Sequence, residues 1–403
     1  MTTLLEQINT HETKGSIKDL VFPVSNTYNF ENKKRVIFVN TSDVHEGKFL
    51  HSAFSEVEKL PGQAKKIIEK GDILFSEIRP KNRHFALVDF DAREYVVSTK
   101  LIVLKVKENV DPIFAYTVLT ADRNLKEFQN IAESRSGTFP QITFDSIADY
   151  EIRLPDFPTQ KKIADLLGAY QEKIETNNVI LKNLELLAQA IFDEWFVKLN
   201  FPGSHKAKLN NDESEGLQEG WIKSTLSEIV DVNPPTKVIS GSVSHADMKD
   251  LSETGMYFST EKKDSQSTGS RFKNHDTLIA RITPCLENGK AGYVSCLNEN
   301  EVATGSTEFL VLRPKKEEYR EFIYLLARDE KFRNFAIGRM VGSSGRQRVS
   351  GDDIGSFKFA KPNLELIQKF HSIFEPIFQN IKIIAEENQN LKLVKDQLLA
   401  KLI

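Results

Sequence analysis

The chain repeats itself, and that constrains its fold more than any other feature. Lys70-Gly71-Asp72-Ile73-Leu74-Phe75-Ser76-Glu77-Ile78-Arg79-Pro80 resembles Asn274-His275-Asp276-Thr277-Leu278-Ile279-Ala280-Arg281-Ile282-Thr283-Pro284, 204 residues later. Ser98-Thr99-Lys100-Leu101-Ile102-Val103-Leu104 matches Ser306-Thr307-Glu308-Phe309-Leu310-Val311-Leu312 at an offset of 208. Ser136-Gly137 matches Ser344-Gly345, also at 208, and Ile142-Thr143 with Asp145 matches Val349-Ser350 with Asp352 at 207. Each match is weak alone, but four in order at a nearly constant offset mark a duplicated domain. A solenoid is excluded, because its repeats run about 20–50 residues.

Both halves follow one plan. Short β-type runs come first, such as Arg35–Val39 and Tyr95–Val106, separated by the turn signals Pro61-Gly62, Gly71-Asp72, Asn233-Pro234-Pro235 and Asn288-Gly289. A helix-like stretch follows, Asp111–Ala132 in one half and Glu317–Ile337 in the other, and a proline closes each domain at Leu154-Pro155 and Lys361-Pro362. After each proline comes a long helix, with Thr159 and Asn363 as expected N-caps. In the first, Ile163, Leu167, Tyr170, Ile174, Asn177, Leu181, Leu184, Ala188, Ile191 and Trp195 alternate at spacings of 4 and 3. Phe370, Phe374, Ile377, Ile381, Ile384, Asn388, Leu391, Lys395, Leu398 and Leu402 repeat that spacing. A 3.5-residue period held this long predicts that the two helices pair, since a helix lying on its own globular domain drifts towards 3.6. Packing of each helix on its own domain is the competing reading. Asn177 and Asn388 either fix the register of the seam or lie near a solvated end.

The chain carries 54 Lys and Arg against 57 Asp and Glu, a net charge of −3, so it is not a uniformly basic nucleic-acid coat. Two cysteines eleven apart exclude a disulfide framework and a structural zinc site as expectations. The N-terminus lacks a signal-type apolar region and no apolar run reaches the ~18 residues of a membrane span, so a cytoplasmic protein without membrane contact is expected. There is no GxxxxGK[ST] or GxGxxG, which argues against bound nucleotide. Asn233-Pro234-Pro235-Thr236 lacks the aromatic that a base-flipping amino-methyltransferase uses at its fourth position, and reads as a turn. The eight histidines form no metal motif, and no catalytic triad can be named. No catalytic residue, metal or cofactor is expected in this chain.

What is present is local basic clustering. Lys331, Arg333, Arg339, Arg346 and Arg348 fall in one stretch without an acid, and Arg79, Lys81, Asn82 and Arg83 fall together in the first copy. Cationic side chains neutralise phosphates, while Arg, Asn and Gln read base edges. Gln141 and Gln347 both follow the Ser-Gly turn of their copy, which makes that loop, with Thr138, a candidate reader. Solvated surface loops carrying ordinary charges are the competing reading for each patch.

At this point the chain resembles the specificity subunit of type I restriction–modification systems. The resemblance covers essentially the whole chain. It rests on Gly71-Asp72-Ile73-Leu74 with Ile78-Arg79-Pro80, on Leu278 to Lys290, on Gly305-Ser306-Thr307-Glu308-Phe309, and on Leu154-Pro155 before Gln160-Lys161-Lys162-Ile163. The first copy lacks the Cys-Leu-Glu-Asn-Gly extension of the second, which implies that its loop reads a different sequence.

The resemblance implies an α+β fold with two tandem target-recognition domains of mixed β-sheet and helices, 1–155 and 221–362. Each is followed by a long helix, 156–200 and 363–403, with a linker at 201–220. The helices would pair as an antiparallel coiled coil through Ile163, Leu167, Tyr170, Ile174, Leu181, Leu184, Ile191, Phe374, Ile377, Ile381, Ile384, Leu391 and Leu398. Double-stranded DNA would be read in two halves by Arg79, Lys81, Asn82, Arg83, Thr138 and Gln141 in one domain. In the other the readers would be Arg281, Asn288, Lys290, Arg339, Arg346, Gln347 and Arg348.

The resemblance further implies two modification (methyltransferase) subunits using S-adenosylmethionine, and restriction subunits using ATP and Mg2+. A ~40-residue helix is about 60 Å long, which limits the half-sites to roughly 18 base pairs apart. A coiled-coil scaffold with two protein-binding domains and a self-contained DNA-modifying enzyme are the alternatives. The scaffold predicts no salt-sensitive DNA binding.

Overall fold

The duplicated segments fall on equivalent elements of two units. The structure, a computed structural model, describes residues 13–135, 137–204, 220–237, 242–264, 269–343 and 345–402. Ser136 and Ser344 of the Ser-Gly turns, most of the expected linker and the Leu402 side chain lie outside the described residues. The chain divides into Met1–Ile174 with Asn390–Ile403, and Glu175–Gln389. Both dividing lines fall inside the long helices, so each unit holds one sheet domain and one end of each helix.

Besides a two-stranded hairpin, Val44–His45 with Lys48–Phe49, the described residues of the first unit form three sheets from β1 (Thr13–Ser16), β2 (Val21–Val24), β3 (Arg35–Val39), β4 (Ser55–Glu56), β5 (Ala64–Ile67), β6 (Ile73–Ser76), β7 (Phe85–Leu87), β8 (Tyr95–Ser98), β9 (Leu101–Val106) and β10 (Glu151–Leu154). The sheet orders are β4-β3-β8-β5, β2-β9-β6-β7 and β1-β10. The second unit repeats them as β11 (Ile222–Thr225), β12 (Val230–Val232), β13 (Ser242–Ala246), β14 (Glu261–Asp264), β15 (Ser270–Lys273), β16 (Thr277–Ala280), β17 (Ala291–Tyr293), β18 (Val302–Gly305), β19 (Phe309–Pro314) and β20 (Lys358–Lys361). Their orders are β14-β13-β18-β15, β12-β19-β16-β17 and β11-β20. The sheets are mixed: β3 pairs parallel with β8 and β13 with β18, and the remaining pairs are antiparallel.

The central strands are buried on both faces, which is why they read as continuous apolar runs. In β6, Ile73 and Phe75 face a core shared with helices, whereas Leu74 faces the other sheet. In β16, Ile279 and Leu278 divide the same way.

Each expected single helix is two. α1 (Pro112–Thr120) and α2 (Asp122–Arg135) are separated by Ala121 in extended backbone. α4 (Arg320–Arg328) and α5 (Glu330–Gly338) are separated by Asp329, also extended, whose carboxylate accepts the Lys331 and Phe332 N–H groups. Capping rather than a proline or glycine makes that break.

The long helices are α3 (Phe157–Phe192) and α6 (Leu364–Leu402). Asn363 caps α6 by accepting from Leu366 N–H at 2.9 Å. Thr159 is not the cap of α3. Asp156 is, accepting from Thr159 N–H at 3.0 Å, because Phe157 and Pro158 already form the first turn. In the first unit Leu398 of α6 joins the core of Ile163 and Leu167, with Tyr170 packed against it, and Lys395 donates to Gln171 at 2.9 Å. In the second unit Phe374 and Ile381 are buried, and Leu181, Leu184, Ile191 and Ile377 pack against the same core. There Asn177 meets Asn388 while Phe192 meets Phe370, so the helices run in opposite directions. Ile174 is buried, and Ile384 and Leu391 are half-buried. Phe378 and Ala385, outside the expected seam, are buried too, Phe378 against Tyr293 and Tyr324. α6 therefore packs on its own sheet domain as well as on α3. Among the described residues no helix is long and apolar enough to cross a membrane.

Candidate nucleic-acid interface

Two loops meet in each unit, and the same backbone bonds hold them. In the first unit Arg79 N–H donates to Pro140 C=O at 3.1 Å, and Ile142 N–H to Glu77 C=O at 2.9 Å. In the second, Thr283 N–H donates to Gln347 C=O at 3.1 Å and Val349 N–H to Arg281 C=O at 3.0 Å. Ile78 bridges Gln141 as Ile282 bridges Arg348. The loop that follows β6 or β16 is thus zipped to the Ser-Gly loop. The pairing also corrects the sequence register: Gln141 corresponds to Arg348, not to Gln347, because the second Ser-Gly loop is one residue shorter.

The Gly71-Asp72 and His275-Asp276 motifs build the platform. Asp72 is buried, accepts Glu69 N–H at 2.8 Å and pairs with Lys105 at 3.3 Å. Asp276 is buried likewise, accepts Lys273 N–H at 2.8 Å and pairs with Arg313 at 2.7 Å. Burial pushes both carboxyls above their ordinary range, against the pull of those partners. These motif residues fix the turn that starts the strand, and both carboxylates are answered inside the fold.

A charge pair at the loop base is reversed between the copies. Glu77 N–H donates to Lys100 C=O and Arg281 N–H to Glu308 C=O, both at 3.0 Å. The side chains are acid then base in one copy, with Lys100 to Glu77 at 3.4 Å, and base then acid in the other. Glu308 is engaged instead by Arg348, whose Nε and Nη2 donate to it at 2.6–3.0 Å. Those hydrogen bonds hold the Glu308 carboxyl below its usual range.

The expected reading residues therefore separate into groups. In the first unit Arg79, Thr138 and Gln141 are together: Arg79 is exposed, holds left-handed backbone at φ +45, and donates to Thr138 C=O at 3.4 Å. Asn82 is exposed in the adjacent turn, and Lys81 lies 3.6 Å from Glu133. Arg83 is turned to Glu46 and to Asp122 at 2.6 Å, and its carbonyl accepts Glu46 N–H. An arginine neutralised by two carboxylates clasps loops; it is not poised for phosphate.

In the second unit Arg281, Gln347 and Arg348 are together, with Arg348 committed to Glu308. Arg346 is exposed, and its guanidinium makes no hydrogen bond or ion pair among the described residues. Asn288 donates to Glu253 at 3.0 Å and Lys290 to Met248 C=O at 3.0 Å, at the far end of the same loop. Arg339 lies over the Phe335 ring at 5.2 Å.

Two residues were missed by the sequence reading. Phe139 stands 70% exposed in the Ser-Gly loop of the first copy, an aromatic between Thr138 and Pro140. Arg328 donates to the carbonyls of Glu253, Gly255, Gly289 and Ala291 at 2.5–3.0 Å and to Tyr324 Oη at 3.0 Å. It uses its whole guanidinium to fasten the 285–290 loop, and no local pattern announced that role.

Residues 14–186 and 218–393 each match the family model described as Type I restriction modification DNA specificity domain. The chain is 40% identical over 248 residues to the type I restriction enzyme HindI specificity subunit of Haemophilus influenzae, across 61% of this chain and 53% of that one. It is 24% identical over 284 residues to the MjaIX specificity subunit of Methanocaldococcus jannaschii, across 67% and 63%. The chain thus spans about half the length of the first of these relatives. Among solved structures, the S subunit of a type I restriction-modification system from M. genitalium is similar in fold, with a TM-score of 0.57 at 18% identity, over 98% of this chain and 97% of that one.

Proposed function

The chain belongs to the type I restriction modification DNA specificity family, and on that premise we propose that it selects DNA for a restriction–modification complex while performing no chemistry itself. Each unit reads one half of a bipartite target in double-stranded DNA. The observation that carries this reading is the repeated backbone zipper displaying different side chains in the two units. One chassis with two sets of exposed groups is what a reader of two unlike half-sites needs, because base edges are distinguished by side-chain chemistry while the frame only positions it.

The two long helices, of 36 and 39 residues, act as an antiparallel coiled-coil spacer. In the second unit they leave Val179, Ile180, Leu186, Leu187 and Ile383 at 39–59% exposure. Large apolar side chains grouped this way fit a protein partner, and we assign them to two modification subunits. S-adenosylmethionine, ATP and Mg2+ belong to the modification and restriction subunits, and the assembly works in the cytoplasm.

Selection from random duplex DNA, with this chain co-purified with its modification subunit, tests the reading. The expected product is a bipartite motif with a fixed gap. A folded complex that enriches nothing at low salt sinks it, and moves the chain to a protein-binding scaffold.

A further inference from the structure

We infer that Phe139 and Arg346 are matched base-reading positions, Phe139 covering a thymine methyl in one half-site and Arg346 gripping a guanine in the other. This rests on the DNA-selecting function proposed above. The equivalence comes from the backbone. Pro140 C=O and Gln347 C=O accept the same bond, and Ile142 N–H and Val349 N–H donate the same bond, so the residues three before Ile142 and Val349 occupy one position of the frame. That position is the most outward of the zipped segment. Pro140 and Ile142 are buried next to exposed Phe139 in the chain, and Val349 is buried three residues after exposed Arg346.

The chemistry of each side chain selects its target. A phenylalanine 70% exposed presents a large apolar surface to whatever docks on the loop. On the major-groove edges of DNA the one apolar group is the C5 methyl of thymine. At the matched position a guanidinium stands free among the described residues, while Arg348, Arg313 and Arg328 of the same unit are committed to Glu308, Asp276 and four carbonyls. A free, forked cation on a fixed loop suits the O6 and N7 of guanine. Arg79, exposed beside Phe139, supplies a cation to an adjoining phosphate.

The test is the random-duplex selection repeated with Phe139→Arg and Arg346→Phe in the same complex, alongside thermal melting. With the native chain the motif should hold an A·T pair at one position of one half-site and G·C at one position of the other. Phe139→Arg should change the first of these positions alone to G·C. Arg346→Phe should abolish the guanine preference in the other half-site, a change of about 5- to 150-fold between the right and wrong base. Should either swap shift the melting temperature, Phe139→Leu and Arg346→Lys replace it. The lysine keeps the charge and loses the fork, so guanine should be relaxed while the salt slope stays. A native bipartite motif that neither swap alters overturns this inference and leaves the function standing, as does loss of a whole half-site in a normally melting variant. Absence of any native motif overturns the function itself.

Discussion

Asn177 Nδ2 donates to Asn388 Oδ1 at 2.9 Å inside the helix pair of the second unit, where the two residues are 1% and 5% exposed. Asn177 also donates to Glu387 at 2.7 Å, and Asn388 donates to Asn178 at 3.0 Å. Buried amides in an apolar seam cost stability relative to leucine, but they penalise every register in which they lose each other. The pair therefore marks a seam selected for alignment.

Asn177→Leu alone should destabilise the chain by about 1–3 kcal/mol, because the Asn388 carboxamide oxygen is left buried and unpaired. Asn177→Leu with Asn388→Leu should recover most of that loss. A double-mutant cycle in denaturant measures the coupling. Strictly additive effects would show that the two amides do not depend on each other.

Arg328 should matter more than its position suggests. Arg328→Ala removes five hydrogen bonds at once and strands the carbonyls of Glu253, Gly255, Gly289 and Ala291. A loss of about 2–4 kcal/mol is expected, together with faster amide exchange in the 285–290 loop. Arg328→Lys should recover little, since an ammonium cannot reproduce the planar fork. Full rescue by lysine would reduce the role of Arg328 to its charge.

These contrasts define what was legible in advance. The duplication was written in ordered residue matches at a nearly constant offset, and strand Arg35–Val39 and the apolar faces of the long helices in apolar spacing, which is local. The breaks at Ala121 and Asp329 were missed because no proline or glycine marks them; at Asp329 a cap decides, and an aspartate reads as an ordinary helix-surface residue. The occupied arginines were missed for a different reason. Arg83 is matched by Glu46 and Arg348 by Glu308, partners about forty residues away that only the folded sheets bring close. Among the basic residues, the sequence told charge but not which charges are already answered. The one-residue difference between the Ser-Gly loops is already in the sequence, in the change of offset from 208 to 207, and the backbone pairing shows that it makes Arg348 rather than Gln347 the counterpart of Gln141.

Stability should fall in acid through Glu301. Burial works against its charge, but Lys262 at 2.8 Å, Ser244 at 2.6 Å and Asn298 N–H at 3.0 Å outweigh that and pull its carboxyl from an ordinary 4.5 down to about 2. A carboxyl depressed on folding stabilises the fold above its unfolded value, and that contribution is lost as the pH falls through the folded value. The loss should run from about pH 4.5 to about pH 2. It should amount to on the order of 1–2 kcal/mol once solvent screening is allowed for. Glu301→Gln should lower stability at neutral pH and flatten the slope in that window. Denaturation across the window, on both chains, measures it, and identical slopes would remove Glu301 from the account.

The spacer role makes a geometric prediction. One heptad inserted at facing points of both α3 and α6 preserves the apolar seam, because seven residues restore the same face of the pair. It lengthens the pair by about 10 Å, close to three base-pair rises. The selected motif should keep both half-sites and widen its gap. An insertion in α3 alone breaks the register of every pair beyond it, Asn177 with Asn388 included when the insertion precedes Asn177, and should lower stability without yielding a new, wider gap. If the matched double insertion folds, binds and selects the original gap, the helices do not set the distance between half-sites, and that distance must be encoded in the sheet domains themselves.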